Sequence, residues 1–453
     1  MASRRGFLAA AAGMLASPCF GVDKRVSHAV GSNGSRVKLY SDADNYAALQ
    51  ALLDVAPEVR LPPGNWPISR TLVYKLNGQR IRSYGVDACT LRQYGAYTGP
   101  VLGIGAHPTW NPGGPNLTGC RLNGITLHQT VDASGASCMI IYEFCSDFEA
   151  SNIRLKGSRY EGFISGSTSS FITLKHIEVL DCGNGGIAYP LSTAGINATS
   201  DHMLVEDFRC TGCGQGVEGG SQHVVYRRGT ITDPGDGNPG IGINIGSTGQ
   251  GIYDVVVEDC IISGYDSAIA VVNGIGRLCG VYIRRNKIYD EGDGDSPIEF
   301  AGGQMNNLVT GGDNPYEGPD LAGSEITDNE FFVSSPHDGV ISYNTGPADG
   351  GNPNVYGREA LTISRNTVRF VAGDTSLQTN PIFGFAGNIT ANCRLTDNII
   401  HGLPAAPSRG DMQSYTNNAN VAVPGFPTFR HGRNYAFAPS GERRAFVTNI
   451  EGA

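Results

Sequence analysis

Short runs of alternating apolar and polar residues return along this chain at intervals of a few tens of positions. Each run begins near a small polar or charged residue and ends in a glycine-rich turn. Successive runs are separated by 24, 31, 22, 30, 27, 43, 37 and 32 residues, and they begin at Asn152, His176, Asp207, Gly229, Asp259, Asn286, Asn329, Asn366 and Asn398. The strand pattern persists while the connections vary in length, which is typical of a solenoid with stacked strands and variable loops.

A period of two predicts β-strands, because successive side chains of a strand point to opposite faces. With the runs aligned on their first residues, Ile261 and Ile288 are predicted to point inward on successive coils. One such strand cannot bury its apolar face alone, whereas stacked parallel copies can. We therefore predict an all-β, single-stranded right-handed parallel β-helix. An antiparallel sandwich also uses many short strands, but signals for two-residue hairpins are scarce in this chain.

Composition and charge agree with a solenoid and narrow the range of partners. Glycine contributes 63 of the 453 residues, which suits a chain that turns at every corner. The net charge is −9, which argues against nucleic acid or an anionic membrane as a partner. No later apolar run is long enough to span a bilayer, so no membrane anchor is expected.

Residues 1–22 are predicted to be an export signal. Arg4 and Arg5 precede a short apolar run at residues 9–16, and this arrangement resembles the twin-arginine signals of bacteria. The alternative is an ordinary signal peptide that contains two arginines by chance. Both interpretations place the mature protein in the periplasm or outside the cell.

The rest of the chain is predicted to form one domain, because no Pro/Ser-rich linker divides it. Asp44, followed by leucines at helical spacing, predicts a short N-terminal helix with Asp44 as its N-cap, which would cover the open end of the first coil. The solenoid with this cap is predicted over residues 36–402. Residues 403–453, where the repeat fades, are predicted to pack irregularly on the last coils.

The chain has 11 cysteines, an odd number for a protein in an oxidising compartment. Cys182 and Cys213 each lie six positions after a run marker, so they are expected at equivalent places on successive coils. An inward stack of small apolar side chains is the prediction, and a disulfide is the alternative. Cys210 and Cys213 have the spacing of a redox or zinc pair, but no second pair accompanies them, so no metal is assigned.

Two N-terminal segments carry a family resemblance. Asp44-Asn-Tyr-Ala-Ala-Leu-Gln50, followed by Leu61-Pro-Pro-Gly-Asn-Trp-Pro-Ile68, resembles the opening of pectate-lyase-like β-helix proteins, which include polygalacturonases, rhamnogalacturonases, epimerases and phage tailspikes. The resemblance implies a right-handed parallel β-helix with a long groove for polysaccharide. The polygalacturonase signature of Asn-Thr-Asp, a paired Asp, Gly-His-Gly and Arg-Ile-Lys is absent, so no catalytic residue carries over.

Acidic residues recur in the turns that follow the run markers. The predicted catalytic carboxylates are those of these turns together with one from the next strand: Asp236, Asp266, Asp293, Asp295, Asp338 and Glu299. Stacked coils would bring turn carboxylates about 4.8 Å apart per rung. Glycoside hydrolysis needs two carboxyl groups about 5 Å apart for retention and about 6.5–9.5 Å apart for inversion. The alternative is that Asp occupies these positions because it favours turns.

Elimination from a uronate is the alternative chemistry, and it needs a base and a group that neutralises the uronate, often Ca²⁺. Arg228 and Arg285 are the candidate bases or substrate-binding residues, and His337 is a further acid or base. The candidate calcium ligands of such a lyase are Asp233, Asp236, Asp293 and Asp295. Tyr265 and Tyr316 lie near the acidic turns and are predicted to stack on sugar faces.

The sequence therefore predicts an exported enzyme that degrades a polysaccharide. Hydrolysis is favoured over elimination or epimerisation, because carboxylates outnumber basic candidates along the predicted edge. No cofactor is expected apart from Ca²⁺ in the case of a lyase. The rival interpretation is a non-catalytic glycan-binding surface protein on the same scaffold. The inserted loop at 302–323 and the loop at 347–354 are predicted walls of the groove.

Overall fold

The protein is a right-handed parallel β-helix, as predicted. A 27-stranded sheet and a 13-stranded sheet, here sheet A and sheet B, follow the solenoid along its length. The computed structural model describes residues 26–93, 95, 97, 99–130, 137–142, 144–166, 168–183, 194–198, 201–219, 222–234, 240–247, 252–273, 278–290, 296–301, 323–334, 339–345, 361–370, 382–387, 394–402, 413–416, 430–444 and 448–450.

Each coil has three sides, and the chain follows them in order. Sides 1 and 2 belong to sheet A and meet at a sharp corner, whereas side 3 is sheet B. The strands of sheet B are β5 Leu72–Val73, β8 Leu102–Ile104, β11 Met139–Ile141, β13 Phe163–Ser165, β15 Ala194–Ala198, β18 Gln215–Gly219, β21 Ile241–Ser247, β24 Ser267–Asn273, β27 Ile298–Ala301, β30 Ile341–Thr345, β33 Phe383–Gly387, β36 Gln413–Thr416 and β40 Thr448–Ile450.

Sheet A holds the remaining strands, and most of them pair in parallel with the coil before and the coil after. They are β1 Val26–Gly31, β2 Arg36–Tyr40, β3 Glu58–Arg60, β4 Gly64–Ile68, β6 Arg80–Arg82, β7 Cys89–Gln93, β9 Leu117–Thr118, β10 Arg121–His128, β12 Cys145–Lys156, β14 Ser170–Leu180, β16 Asp201–Glu206, β17 Arg209–Thr211, β19 Gln222–Arg227, β20 Thr230–Thr232, β22 Ile252–Glu258, β23 Ile261–Ser263, β25 Leu278–Arg284, β26 Lys287–Asp290, β28 Ser324–Thr327, β29 Glu330–Val333, β31 Leu361–Ser364, β32 Thr367–Phe370, β34 Arg394–Thr396, β35 Ile399–His401, β37 Arg430–His431, β38 Tyr435–Phe437 and β39 Arg443–Arg444.

Stacked apolar side chains fill the interior of the coils. On side 3 one inward column runs through Val217, Ile243, Ile269, Ile298 and Ile341, which are partners in register on successive strands. All five are 0% exposed. Apolar burial of about 25 cal/mol per Å² makes these columns the main source of stability, and each coil needs its neighbours to complete them.

The corner between sides 1 and 2 is made by one residue per coil in the left-handed backbone region. These residues have φ between +51° and +58°, and they are Asn152, His176, Asp207, Arg228, Asp259, Arg285, Asp328, Arg365 and Asp397. The residue after each corner points into the core. In the later coils it is a buried asparagine, and Asn286, Asn329, Asn366, Asn398 and Asn434 form a ladder in which each side-chain amide donates at 3.0 Å to the next side-chain oxygen.

The prediction that both Ile261 and Ile288 point inward is half wrong. Ile288 is 0% exposed, but its partner in register is Ile262, and Ile261 is 41% exposed. Aligning Asp259 with Asn286 set the two coils off by one residue, because Asp259 makes the corner whereas Asn286 follows it. A shift of one residue moves a strand's side chains to the opposite face.

The N-terminal helix is present and covers the first coil. Helix α1 runs from Tyr46 to Leu53 and buries Leu49, Leu52 and Leu53. Its N-cap residue is Asn45 and not Asp44 as predicted. The Asp44 carboxylate nevertheless accepts a hydrogen bond from the Tyr46 amide at 3.0 Å, so it still contributes to the helix start.

The cysteines lie inside the coil, as the stacking interpretation predicts. Cys182 and Cys213 are both 0% exposed, and the eight cysteines whose side chains the structure describes are free thiols. Burial raises the pKa of Cys213 and of Cys260 to about 12. These thiols therefore act as small apolar side chains.

Strand pairing continues past residue 402, the predicted end of the solenoid. Strands β36, β37, β38 and β40 pair in parallel with β33, β34, β35 and β36. The export signal predicted for residues 1–22 lies outside the described residues. Within the described ranges, no helix is long and apolar enough to cross a bilayer.

Candidate functional site

The outward face of side 3 presents one continuous row of side chains along the solenoid. Residues paired in register on successive strands form this row, here the side-3 row: Gly103, Ile140, Ile164, Asn197, Glu218, Asn244, Ala270, Glu299 and Ser342. The register extends to Val73 before this row and to Gly384 after it. The row itself starts with a glycine and two isoleucines, and from Asn197 onwards its residues are polar apart from Ala270. At about 4.8 Å per rung, its eight steps extend over about 38 Å.

Side 3 differs sharply from sheet A in charge. None of the 13 strands of sheet B contains Lys, Arg or His, and their only charged residues are Glu218 and Glu299. The described strands of sheet A, by contrast, carry many arginines that form ion pairs across neighbouring rungs. A ligand on side 3 therefore meets carboxylates, amides and hydroxyls, with no strand cation beneath it.

The centre of the row is tightly packed. Ala270 faces outward between Asn244 and Glu299, yet it is only 1% exposed. Among the described residues, no donor reaches the buried Oδ1 atom of Asn244. An unmet buried acceptor costs about 1–3 kcal/mol.

Two of the predicted carboxylates belong to this region. Glu299 lies on the side-3 row in β27, partly exposed, and points outward rather than to the core. Asp266 occupies the turn immediately before β24, the strand one rung away. Asp236, Asp293, Asp295, His337, Asp338 and Tyr316 lie outside the described residues, and their roles stay predictions.

Tyr265 lies in the core rather than on a ligand-facing surface. Its ring is 2% exposed, and its hydroxyl donates to the carbonyl oxygen of Cys213 at 2.9 Å. Burial is the main cause that raises the pKa of this phenol far above its usual range. The surface ring that sugar stacking requires is therefore absent at Tyr265.

Arg228 and Arg285 lie at the corner between sides 1 and 2, which side 3 does not touch. Acidic and basic residues alternate there on successive coils, and we call this set the corner row: Asp207, Arg228, Asp259, Arg285, Asp328 and Arg365. The ion pairs Asp207–Arg228, Asp259–Arg285 and Asp328–Arg365 have N–O distances of 2.7, 2.8 and 2.7 Å. Arg228 also contacts Glu206, and Arg285 contacts Glu258.

The pairing in the corner row shifts the titration of its members. Hydrogen bonds donated by Arg228 lower the pKa of Asp207, and those donated by Arg285 lower the pKa of Asp259. The same carboxylates raise the pKa of both arginines above the usual range. Arginines with raised pKa values that already donate to two carboxylates are poor bases, so the geometry does not favour them for proton abstraction.

Two shallow clefts lie elsewhere, on the outer face of sheet A in the first coils. One of about 480 Å³ is lined by residues that include Tyr84, Asn123, His176 and Glu178, and one of about 380 Å³ adjoins it at Asn123. The charged side chains there pair with one another, as Arg82 does with Glu58 at 2.5 Å. We weight side 3 more heavily, because its carboxylates lie on a straight outward row in strands without Lys, Arg or His.

No group of three or more His, Cys, Asp and Glu side chains within the described ranges is arranged to hold a metal ion. Of the calcium ligands predicted for a lyase, Asp233 alone belongs to the residues that the structure describes. Sequence reasoning missed Glu218 and Asn244. Both stand in short strands at the same alternation phase as Glu299, which was a signal that could have revealed them.

No protein-family model and no curated protein matches this chain in sequence. Solved structures with the same fold do match. A thermostable α-1,3-glucanase catalytic unit from Streptomyces thermodiastaticus is 14% identical with a TM-score of 0.51, and the match covers 89% of this chain and 69% of that one. The shared fold is the parallel β-helix.

Two further solved β-helix structures are similar to this chain in fold. A tailspike protein of E. coli bacteriophage HK620, solved with a pentasaccharide, is 12% identical with a TM-score of 0.52, over 89% of this chain and 78% of that one. The surface adhesin PfbA of Streptococcus pneumoniae is 12% identical with a TM-score of 0.50, over 88% and 87%. At these identities the likeness is one of fold.

Proposed function

We propose that this protein is an exported glycoside hydrolase that binds an extended, neutral polysaccharide along the side-3 row and cleaves it near Glu299. The observation that carries the proposal is the charge of side 3, where the strands supply Glu218 and Glu299 and no cation. Carboxyl groups are the residues that glycoside hydrolysis requires. The α-1,3-glucanase with the same fold acts on a neutral glycan. The export signal predicted at residues 1–22 agrees with an extracellular substrate. Fractionation of producing cells tests the predicted export.

Elimination and epimerisation of uronates fit side 3 less well. Both reactions act on an anionic sugar whose carboxylate must be neutralised by a metal or a cation. The two arginines proposed from sequence lie at the opposite corner and are paired with acidic residues. A polyuronate on side 3 would meet Glu218 and Glu299, and the strands there supply no Lys, Arg or His to bind its carboxylates.

Glu299 is the proposed acid or base, and its partner is a second carboxylate close to it. Glu218 is three rungs away, about 14 Å, which exceeds the separation of about 6.5–9.5 Å in an inverting pair. The partner is therefore sought in the turns that precede the row, and Asp266, Asp293 and Asp295 are the candidates. Glu218 and Asn244 would instead hydrogen-bond the sugars that extend from the cleavage point.

A panel of polysaccharides tests the reaction class. The purified protein is incubated with neutral α-1,3-glucan, laminarin, xylan and mannan, and with polygalacturonate and alginate. New reducing ends from a neutral glycan, without the ultraviolet absorbance of an unsaturated sugar, are the expected result. Unsaturated products from a uronate would replace hydrolysis by elimination.

Variants then test the residue. Glu299→Gln keeps the shape but removes the proton chemistry, and we expect it to lower kcat by at least about 100-fold at unchanged melting temperature. Glu330→Gln is the matched control, since Glu330 is an outward carboxylate on side 2 that pairs with Arg369 at 2.9 Å. Equal activity of both variants would remove Glu299 from the mechanism.

A non-catalytic glycan-binding protein is the second candidate. The wide separation of Glu218 and Glu299 favours it, because neither supplies a partner for the other on one scissile bond. Retention of a neutral glycan with no new reducing ends on any member of the panel would support it.

A further inference from the structure

The first rung of the side-3 row is a glycine covered by an aromatic ring. A Cβ atom built on Gly103 would lie 2.4 Å from Cζ3 of Trp110, closer than real Cβ atoms come. The Trp110 ring therefore packs directly on the outward face of β8, and it needs a glycine beneath it. The next rungs are Ile140 and Ile164, so this end of the row is apolar where the centre is polar.

Trp110 belongs to a cluster of three partly exposed rings. Its ring lies parallel to that of His107, with centroids 4.5 Å apart and planes inclined by 9°. The His107 ring meets Tyr142 edge-on, with centroids 4.6 Å apart and planes inclined by 70°. The rings are contributed by two coils, because His107 and Trp110 follow β8 whereas Tyr142 directly follows β11.

The connection that carries Trp110 is well ordered by hydrogen bonds. His107 and Asn111 exchange two backbone hydrogen bonds of 3.0 Å, which close a small hairpin around Trp110. Asn111 is 4% exposed; its Nδ2 donates to the Gly105 carbonyl at 2.7 Å, and its Oδ1 accepts from Lys75 Nζ at 2.9 Å. The ring position is thus fixed before any ligand arrives, which lowers the entropy cost of binding.

We propose that Trp110, supported by His107 and Tyr142, forms an aromatic subsite for a neutral sugar unit at the amino-terminal end of the side-3 row. The inference rests on the proposed function, because it takes the same glycan to lie along the row. Pyranose rings present C–H faces that pack on aromatic rings. Because Trp110 lies on Gly103 and parallel to His107, the sugar would contact the part of the three-ring cluster that stays exposed. The apolar rungs beside Trp110 suit a sugar without a carboxylate.

Distance makes this subsite a remote one. Seven rung steps of about 4.8 Å separate Gly103 from Glu299, or about 34 Å. Only a glycan of several units reaches both points. The subsite therefore strengthens the binding of long chains and leaves the chemistry at Glu299 untouched, so chain length becomes the readout that separates it from a merely structural ring cluster.

The test compares Trp110→Ala and Trp110→Phe with the parent on whichever neutral polysaccharide of the panel is active, and on short oligosaccharides of the same linkage. We expect Trp110→Ala to raise KM for the polymer about three- to tenfold at unchanged kcat, with a defect that shrinks as the chain shortens. Trp110→Phe keeps a ring and should retain most of the affinity. For a protein that binds without cleaving, retardation in polysaccharide gels replaces KM.

Folding is monitored in the same variants. The chain has two tryptophans, and the other, Trp66, is 0% exposed with Nε1 donating to the Pro62 carbonyl at 3.0 Å. Its fluorescence in Trp110→Ala therefore reports the integrity of the first coil. An unchanged KM for the polymer, or a loss equal for long and short chains, overturns the subsite alone. A parent that neither cleaves nor retains any neutral glycan overturns the proposed function and the subsite with it.

Discussion

Neighbouring isoleucines on one short strand have opposite environments. Ile262 is 0% exposed, whereas Ile261, one residue earlier, is 41% exposed. The pleat sends them to opposite faces, and only the inner face has no water to solvate a charge. The pair therefore offers two substitutions of the same chemistry with different consequences.

We expect Ile262→Asp to lower the free energy of unfolding by more than about 3 kcal/mol, because it buries an unpaired carboxylate. Ile261→Asp should lower it by less than about 1 kcal/mol, since its side chain stays in contact with water. Urea unfolding of both variants, followed by circular dichroism, measures the difference. Equal losses would mean that the strand register is not the one described.

The single-residue offset explains what the sequence could and could not predict at this scale. The period of two was readable, so the strands and the all-β class follow from the sequence. The phase was not, because Asp259 and Asn286 both look like polar markers although the first makes the corner and the second points inward. An asparagine can be recognised as an inward-pointing ladder residue only when its partners on the neighbouring coils are known.

At the scale of elements, polar residues hold the corners by two different means. Inside, the asparagine ladder satisfies backbone groups: Nδ2 of Asn329 donates to the Ile283 carbonyl at 2.9 Å and its Oδ1 accepts from the Asn286 amide at 3.0 Å. Outside, the corner row alternates Asp and Arg, residues that would otherwise meet like charges about 4.8 Å away on the next rung. The alternation turns this repulsion into attraction.

The corner row makes stability depend on acid in a defined direction. Arginine hydrogen bonds lower the pKa of Asp207, Asp259 and Asp328 in the folded protein. A carboxyl with a depressed folded pKa contributes stability that is complete above its unfolded pKa of about 3.9 and is lost as pH falls through the folded value. The contribution is modest, because these pairs are partly exposed and screened.

We expect Arg285→Gln to melt at a lower temperature than the parent near pH 7, with the gap closing as pH falls below about 4. Protonated Asp259 no longer gains from Arg285, so the variant and the parent then become alike. Thermal melts across this pH range measure the gap. Arg60→Gln serves as the control, because Arg60 is the exposed last residue of β3, a strand of side 1, and does not belong to the corner row. A gap that stays constant with pH would contradict the pairing.

At the scale of the whole molecule, the fold could be predicted from the sequence, whereas the candidate site could be predicted only in part. The repeated runs of alternating apolar and polar residues and the N-terminal motif are local signals, and they identify the solenoid. The side-3 row is assembled from residues that lie 21 to 43 positions apart along the chain, so its membership depends on register. Glu299 was recognised because it interrupts an apolar strand. Glu218 and Trp110 could be identified as candidate site residues only from their neighbours on other coils.

The distribution of charge over the molecule gives a last prediction. The chain carries a net charge of −9, and the strands of side 3 contain no cation. Charged ligands are attracted or repelled over about a Debye length, near 10 Å at 0.1 M salt, whereas hydrogen bonds and ring contacts with a neutral sugar are nearly insensitive to salt. Affinity for the neutral glycan should therefore stay within about twofold between low and high ionic strength. Polygalacturonate and alginate should show no retention at low salt, where repulsion is strongest. Retention of a polyuronate that weakens steadily as salt is added would contradict this prediction. Such binding would require cations outside the described strands of side 3. Elimination or epimerisation would then be favoured over hydrolysis.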